Sequence, residues 1–335
     1  MAARAVIFGC AGPVLSAEER RFFAEADPWA FILFGRNVEQ PGQLARLTAA
    51  LRDSVGRDAP VLIDQEGGRV ARMRAPAWRE WLPALDECRR FPDLARRTAA
   101  MRLRYRLIAG ELRAVGIDVD CAPVLDVARE ETHAIIRNRT YGDAPDAVAA
   151  IGRAVAEGLL AGGVLPVMKH VPGHGRATLD SHHDLPRVAA GVEALAGDFA
   201  PFRALADLPM AMTAHLVFEA LDAEAPATQS ARVARMIREE IGFDGLLMTD
   251  DLSMKALRGS FGERVERSLA AGCDVILHCN GDAGEMAAVA EATPRLAGRA
   301  AGRAAAALAL RVEPGPWDAA AAEAAFADLA GVAHA

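Results

Sequence analysis

The chain is built from short apolar runs, each followed by a longer stretch with helical spacing. Eight runs read as strands: "AVIFG" (5–9), "AFILFG" (30–35), "PVLIDQEG" (60–67), "IDVDCAPVLDV" (117–127), "LPVMKH" (165–170), "PMAMTAH" (209–215), "GLLMTDD" (245–251) and "DVILHCN" (274–280). Most are apolar throughout and do not alternate. That is the pattern of a parallel sheet covered on both faces, where neither side of a strand meets water. Between them, "PGQLARLTAALRDSV" and "DLARRTAAMRLRYRLIAGELRAVG" place apolar residues three and four positions apart, as one helix face requires. "DAPDAVAAIGRAVAEGLLAGG" opens on capping-type residues and closes on a glycine pair. About eight strand–helix units is the number that closes a TIM-like (β/α)8 barrel, an α/β fold in a single domain. A doubly wound open sheet is the structural alternative. The Ala-rich segment from about residue 314 predicts a terminal helix packed outside the barrel, or a frayed end. No linker, internal repeat or second domain is evident.

Composition narrows the class. The 335 residues suit one barrel, and 52% hydrophobic against 25% charged builds a large core. A net charge of -7 argues against a general nucleic-acid binder, which needs clustered Lys and Arg. Cys10, Cys88, Cys121, Cys273 and Cys279 are odd in number and scattered, with no CxxC pair. They read as reduced, buried thiols of a cytoplasmic protein. The N-terminal "MAARAVIFGCAGPVL" is interrupted by Gly9, Gly12 and Pro13 and works better as a first strand than as a signal peptide. No apolar run approaches the roughly 20 residues of a membrane span.

In a barrel, chemistry gathers at the C-terminal ends of the strands. Here those ends carry Arg36 and Asn37; Asp64, Gln65 and Glu66; Asp126; Lys169 and His170; His215; Asp250 and Asp251; and Asn280. Loops often begin with a polar residue, but Lys-His, Thr-Asp-Asp and Asp-Gln-Glu at separate strand ends exceed that habit. In "DQEGGRVARM", Gly67 and Gly68 allow sharp turns and close ligand approach. Asp64 suits the adjacent hydroxyls of a sugar, and Arg72 an oxyanion or hydroxyl. A structural ion pair is the other reading, more so for Glu66 with Arg69. Arg139, alone in a loop, is weak by itself, since such residues are usually solvated. Neighbouring side chains on a strand point to opposite faces, so only one of Asp250 and Asp251 is expected to face a pocket. The other would cap a helix over "LSMKAL".

The stretch "KHVPGHGRATLDSHHDLP" (169–186) holds four histidines and two aspartates. Three chemistries compete for it. Metal binding by His170, His174, His182 and His183 lacks HxH or HExxH spacing. A phosphate cradle at "GHG" lacks the GxGxxG or Walker context. A proton shuttle fits best. Asp180 and His182, two residues apart on an extended loop, project to the same side. A carboxylate beside an imidazole orients it and favours its protonated form. Such a histidine can donate a proton near neutral pH and recover it, as a general acid/base must. With a carboxylate at a strand end, this points to glycoside cleavage.

At this point the sequence resembles glycoside hydrolase family 3, the bacterial β-N-acetylglucosaminidases in particular. "KHVPGHGRATLDSHHDLP", "LIDQEGGRVARM", "APVLDV", "MTAHLVFEALD", "PATQS", "GLLMTDDLSM" and "AGCDVILHCN" are similar to that family's blocks, in its order, from about Phe31 to Asn280. The resemblance implies a single-domain TIM-like barrel and a retaining mechanism without metal or organic cofactor. It makes Asp250 the nucleophile, leaves Asp251 a structural role, and makes His182 the acid/base with Asp180 as its partner. It assigns Asp64, Arg72, Arg139, Lys169 and His170 to the N-acetylglucosamine ring. It further implies a small-molecule substrate, a cell-wall muropeptide fragment, and a monomer binding neither nucleic acid nor membrane. Three places depart from the pattern: Val171 for an aromatic, Arg137 and Asn138 in "IIRNRTYG", and "WREWLP" (78–83) near the expected pocket rim. The alternatives are a phosphorylase, a metal-dependent barrel hydrolase using the loop histidines, and a sugar-binding module without catalysis.

Overall fold

The computed structural model describes residues 2–179 and 185–330. Eight parallel strands close a barrel: β1 (Arg4–Gly9), β2 (Pro28–Leu33), β3 (Val61–Ile63), β4 (Val119–Asp120), β5 (Leu165–Val171), β6 (Met210–Thr213), β7 (Leu246–Asp251) and β8 (Val275–His278). Each strand pairs with its neighbour in sequence, and β8 pairs with β1 to close the ring. The open sheet is excluded. A helix follows every strand: α1 (Ala17–Ala26), α2 (Pro41–Val55), α3 (Leu94–Ala114), α4 (Pro145–Ala161), α5 (Val192–Ala204), α6 (Ala231–Glu239), α7 (Phe261–Ala271) and α8 (Ala283–Ala292).

The unbroken apolar runs are explained by two buried layers. Ile7, Ile32, Leu62, Val119, Val167 and Met248 point into the barrel. Val6, Phe31, Ile63, Met168, Leu247 and Ile276 point out against the helices. Both faces of each strand are therefore dry, and alternation has nothing to report. The helices alternate instead. In α6, Val233, Ala234, Met236 and Ile237 are buried while the charged residues between and beyond them face outward, and Ser230 caps its N-terminus by accepting from the Val233 amide.

Two strands are much shorter than the runs that predict them. After Ile63 the backbone leaves the ladder because the Gln65 amide turns to Asp120 Oδ1 at 3.0 Å. The "DQEGG" turn then needs the left-handed conformation at Gly67, φ 98°. A Cβ there would meet the Arg104 guanidinium and sit 2.9 Å from the Leu82 carbonyl. The close approach that Gly67 permits is thus to the protein itself, not to a ligand. After Asp120, Pro123 has no N–H to give a ladder.

A small parallel pair, Arg187–Val188 with Val217–Phe218, lies outside the barrel and ties the chain after residue 185 to the segment following β6. The segment "LSMKAL" is a run of turns and not a helix. Beyond α8, two more helices follow, α9 (Gly298–Ala309) and α10 (Ala319–Leu329). In α10, Phe326 is buried edge-on against Trp81 and Phe91, and Arg79 stacks on Trp81 at 4.2 Å. The "WREWLP" segment thus supports the α10 contact through Trp81, while Trp78 stays nearer the rim. Among the described residues no helix is long and apolar enough to cross a membrane.

Candidate active site

A cavity of about 480 Å3 opens at the C-terminal ends of the strands. Asp64, Arg72, Arg139, Lys169, His170 and Asp250 all line it, as does Asp251. A volume in the range of roughly 300–1,000 Å3 holds a small organic ligand. A hollow of about 570 Å3 lies at the other end of the barrel, where Asp244 is paired with Arg299 and Arg303. Its charges are satisfied, and it lies away from the strand ends where barrel chemistry resides.

The site rests on a buried charge lattice. Lys169, on β5 and 1% exposed, places Nζ 2.7 Å from Asp64 Oδ1 and 2.6 Å from Glu66 Oε1. Arg72 donates from Nη2 to Asp64 Oδ2 at 2.9 Å. Arg139 grips Glu66 with two parallel bonds, Nε to Oε2 at 2.9 Å and Nη2 to Oε1 at 2.7 Å. Burial alone would raise the carboxyls of Asp64 and Glu66. The facing cations outweigh it and hold Asp64 well below the usual carboxylate range and Glu66 at about 2. Both stay ionised, and the same attraction overcomes burial to keep Lys169 and Arg139 protonated. Arg139 is therefore no solvated loop residue. Glu66 pairs with Arg139 and Lys169, not with Arg69. Lys169, Arg72 and Arg139 are thus each countered by a carboxylate.

Asp126 organises the next layer. Its Oδ2 lies 2.7 Å from His170 Nδ1, and its Oδ1 accepts the amides of His170 at 3.3 Å and His174 at 2.6 Å. Burial works against ionisation, but these contacts bring Asp126 down to about 2. A carboxylate can only accept here, so Nδ1 of His170 carries the proton and Nε2 is turned to the cavity. Two of the three "GHG" amides are spent in the same way, Gly173 on the His170 carbonyl and His174 on Asp126. That removes the phosphate cradle. His174 itself is buried, which lowers its ring to about 4. Among the described residues no group of three or more His, Cys, Asp or Glu is placed to hold a metal.

At the end of β7, both Asp250 and Asp251 line the cavity. Simple alternation fails because the β7–β8 register shifts between Val275 and Leu277. Asp251 is tied down all the same. It accepts from Ser253 N at 3.0 Å, Ser253 Oγ at 2.6 Å and Cys279 N at 3.1 Å. Asp250 Oδ1 accepts the Asp251 amide at 2.8 Å. His215 donates from Nε2 to the Asp251 carbonyl at 3.0 Å, and burial lowers its pKa. The expected shuttle residues Asp180 and His182, with His183, lie outside the described residues. The structure thus brings Asp64, Arg72, Arg139, Lys169, His170 and Asp250 into one cavity. It adds Glu66 and Asp126, whose roles the sequence reading did not assign. Asp126 had one visible signal: it closes the apolar run that begins at β4, the strand beside the one that carries His170.

A (β/α)8 barrel with paired carboxylates and cations gathered in a cavity at its C-terminal mouth has the layout of a barrel enzyme. Residues 15–303 match the family described as the glycosyl hydrolase family 3 N terminal domain. The beta-hexosaminidase of Methylococcus capsulatus is 37% identical over 281 residues, 82% of this chain and 82% of its own. That of Pseudomonas aeruginosa PAO1 is 37% identical over 284 residues, 83% of each. Native NagZ from Neisseria gonorrhoeae superposes with a TM-score of 0.84 at 31% identity, covering 100% of this chain and 99% of that one. The chain belongs to glycoside hydrolase family 3.

Proposed function

We propose that the chain is a retaining exo-β-N-acetylglucosaminidase, a β-N-acetylhexosaminidase that releases terminal β-linked N-acetylglucosamine. The activity is supported by the beta-hexosaminidases it matches over most of their length. The observation that carries the residue assignment is Asp250 at the end of β7, in the same cavity as the Asp64–Lys169–Arg139 lattice.

In this reading the lattice holds the sugar ring across the barrel mouth, and its fixed charges need no rearrangement on binding. The Asp250 carboxylate attacks the anomeric carbon as the bond from that carbon to the leaving oxygen breaks. His182, protonated and oriented by Asp180, gives its proton to that oxygen. A glycosyl ester on Asp250 results. His182 then takes a proton from water, the water oxygen bonds to the anomeric carbon, and Asp250 leaves as carboxylate with configuration retained. The substrate of this reading is a muropeptide fragment, N-acetylglucosamine joined to anhydro-N-acetylmuramic acid, met in the cytoplasm during cell-wall recycling. The five free, buried cysteines support that compartment. The working unit is a monomer.

Incubation with a 5-fluoro N-acetylglucosaminyl fluoride, followed by peptide mass spectrometry, tests the mechanism. The expected result is one covalent label, on Asp250. Steady turnover of a p-nitrophenyl N-acetylglucosaminide with no label, or a label elsewhere, removes the assignment.

A further inference from the structure

Across the short helix Ala134–Arg137 from the sugar cavity lies a second hollow of about 360 Å3. Arg89, Arg97, Arg129 and Arg137 line it. In a chain of net charge -7, four guanidiniums around one hollow are unexpected, because like charges repel when brought together.

Their hydrogen bonds leave most of their donors unused. Arg129 is neutralised, with Nε and Nη2 both donating to Asp198 Oδ1 at 3.0 and 2.6 Å. Arg137 spends only Nη1, on the carbonyls of Arg129 at 2.8 Å and Glu130 at 3.0 Å. Arg97 spends only Nε, on the Phe91 carbonyl at 3.1 Å. The guanidinium of Arg89 has no hydrogen bond or ion pair among the described residues. Glu130 and Asp143 share the wall but are exposed, and neither forms an ion pair with these arginines among the described residues. The floor is buried and largely apolar, with Cys88 and Tyr141.

We propose that this hollow binds a small organic anion bearing phosphate or carboxylate groups. Guanidinium forks match the planar oxygens of either group two at a time. A hollow of this size is that of a small-molecule site and exceeds the needs of a bare inorganic ion. None of the four arginines lines the sugar cavity. The segment between the two hollows does serve both: Ile135 and Arg139 line the first, Arg137 and Tyr141 the second.

Isothermal titration of the full chain with pyrophosphate in one arm and citrate in the other tests the site and separates the two sources of negative charge. The expected result is one saturable site per chain for at least one of them. Affinity falls at least about tenfold in the Arg89→Ala, Arg97→Ala double variant, the loss of one good contact. Arg137→Ala weakens it comparably, and saturating N-acetylglucosamine, added to fill the sugar cavity, leaves it unchanged. Far-UV circular dichroism confirms that each variant is folded, and the double variant carries the test if Arg137→Ala fails to fold. Absence of binding of both anions at about 10 mM, a concentration that detects even weak millimolar sites, overturns the proposal. So does binding that survives the double variant, or that N-acetylglucosamine displaces.

Discussion

At the scale of single residues, the cavity is a set of charges that hold one another in place. Asp126 shows how far this goes, because one carboxylate fixes an imidazole and an amide at the end of β5 and a second amide in the loop that follows. Asp126→Asn keeps the shape but gives up the charge. It is expected to lower kcat/KM on an aryl N-acetylglucosaminide by about ten- to a hundredfold, the worth of one buried charge-assisted contact. The loss should appear chiefly in KM if His170 holds the ring, and unchanged kinetics in a folded variant would remove Asp126 from the site. The proposed proton donor makes a different prediction. His182→Ala should cost substrates with poor leaving groups at least about a hundredfold more than activated aryl glycosides, in line with general acid catalysis. Equal losses on both, measured by steady-state kinetics, would contradict an acid role. Asp64, Lys169, His170 and Asp250 were legible because each falls at a strand end with an abrupt change of polarity, whereas Arg139, in a loop, was reached only through the family resemblance. Glu66 and Asp126 were visible but silent. Their partners come from strands and loops distant in sequence, and no spacing rule within one segment reports a pairing across the barrel.

At the scale of elements, all eight strands could be located from apolar runs, and their ends could not. β3 and β4 stop early because side-chain and turn contacts, Gln65 to Asp120 among them, take over from the ladder. The helix expected over "LSMKAL" gives way to turns in which Asp251 accepts from Ser253, a local bond that competes with helical pairing. The parallel pair at Arg187–Val188 and Val217–Phe218 is too short to leave a periodic signature. The α10 helix offers a test of how an outer element is held. Its Ala-rich sequence brings little apolar area apart from Phe326, which enters the Trp81–Phe91 aromatic contact. Phe326→Ala is expected to destabilise the docked helix by about 3 kcal/mol. Hydrogen exchange should show α10 opening well before the barrel, and coincident opening of both would mean that α10 belongs to one cooperative unit with the strands.

At the scale of the whole molecule, acid and base act on the fold in opposite ways. Glu66 and Asp126, both held near 2, stabilise the folded state above the unfolded carboxyl range. That stability is lost as pH falls toward 2. Asp120 runs the other way. Burial raises it from 3.8 to about 7, and its Oδ2 has no partner among the described residues. The folded chain therefore holds a proton that the unfolded chain has released, and stability falls as pH rises from about 4 to 7. Denaturant titrations of the wild type and Asp120→Asn at pH 5 and pH 8 check this. The variant should lose a downward slope of up to about 1.4 kcal/mol per pH unit. Parallel profiles would place the ionisation of Asp120 elsewhere.

In the sugar cavity Lys169, Arg72 and Arg139 each face a carboxylate less than 3 Å away. Charges cancelled at such short range project little field into the surrounding water. Capture of an uncharged glycoside then owes nothing to long-range steering. Its kcat/KM should change by less than about twofold when sodium chloride rises from roughly 10 to 500 mM, although that change shrinks the Debye length severalfold.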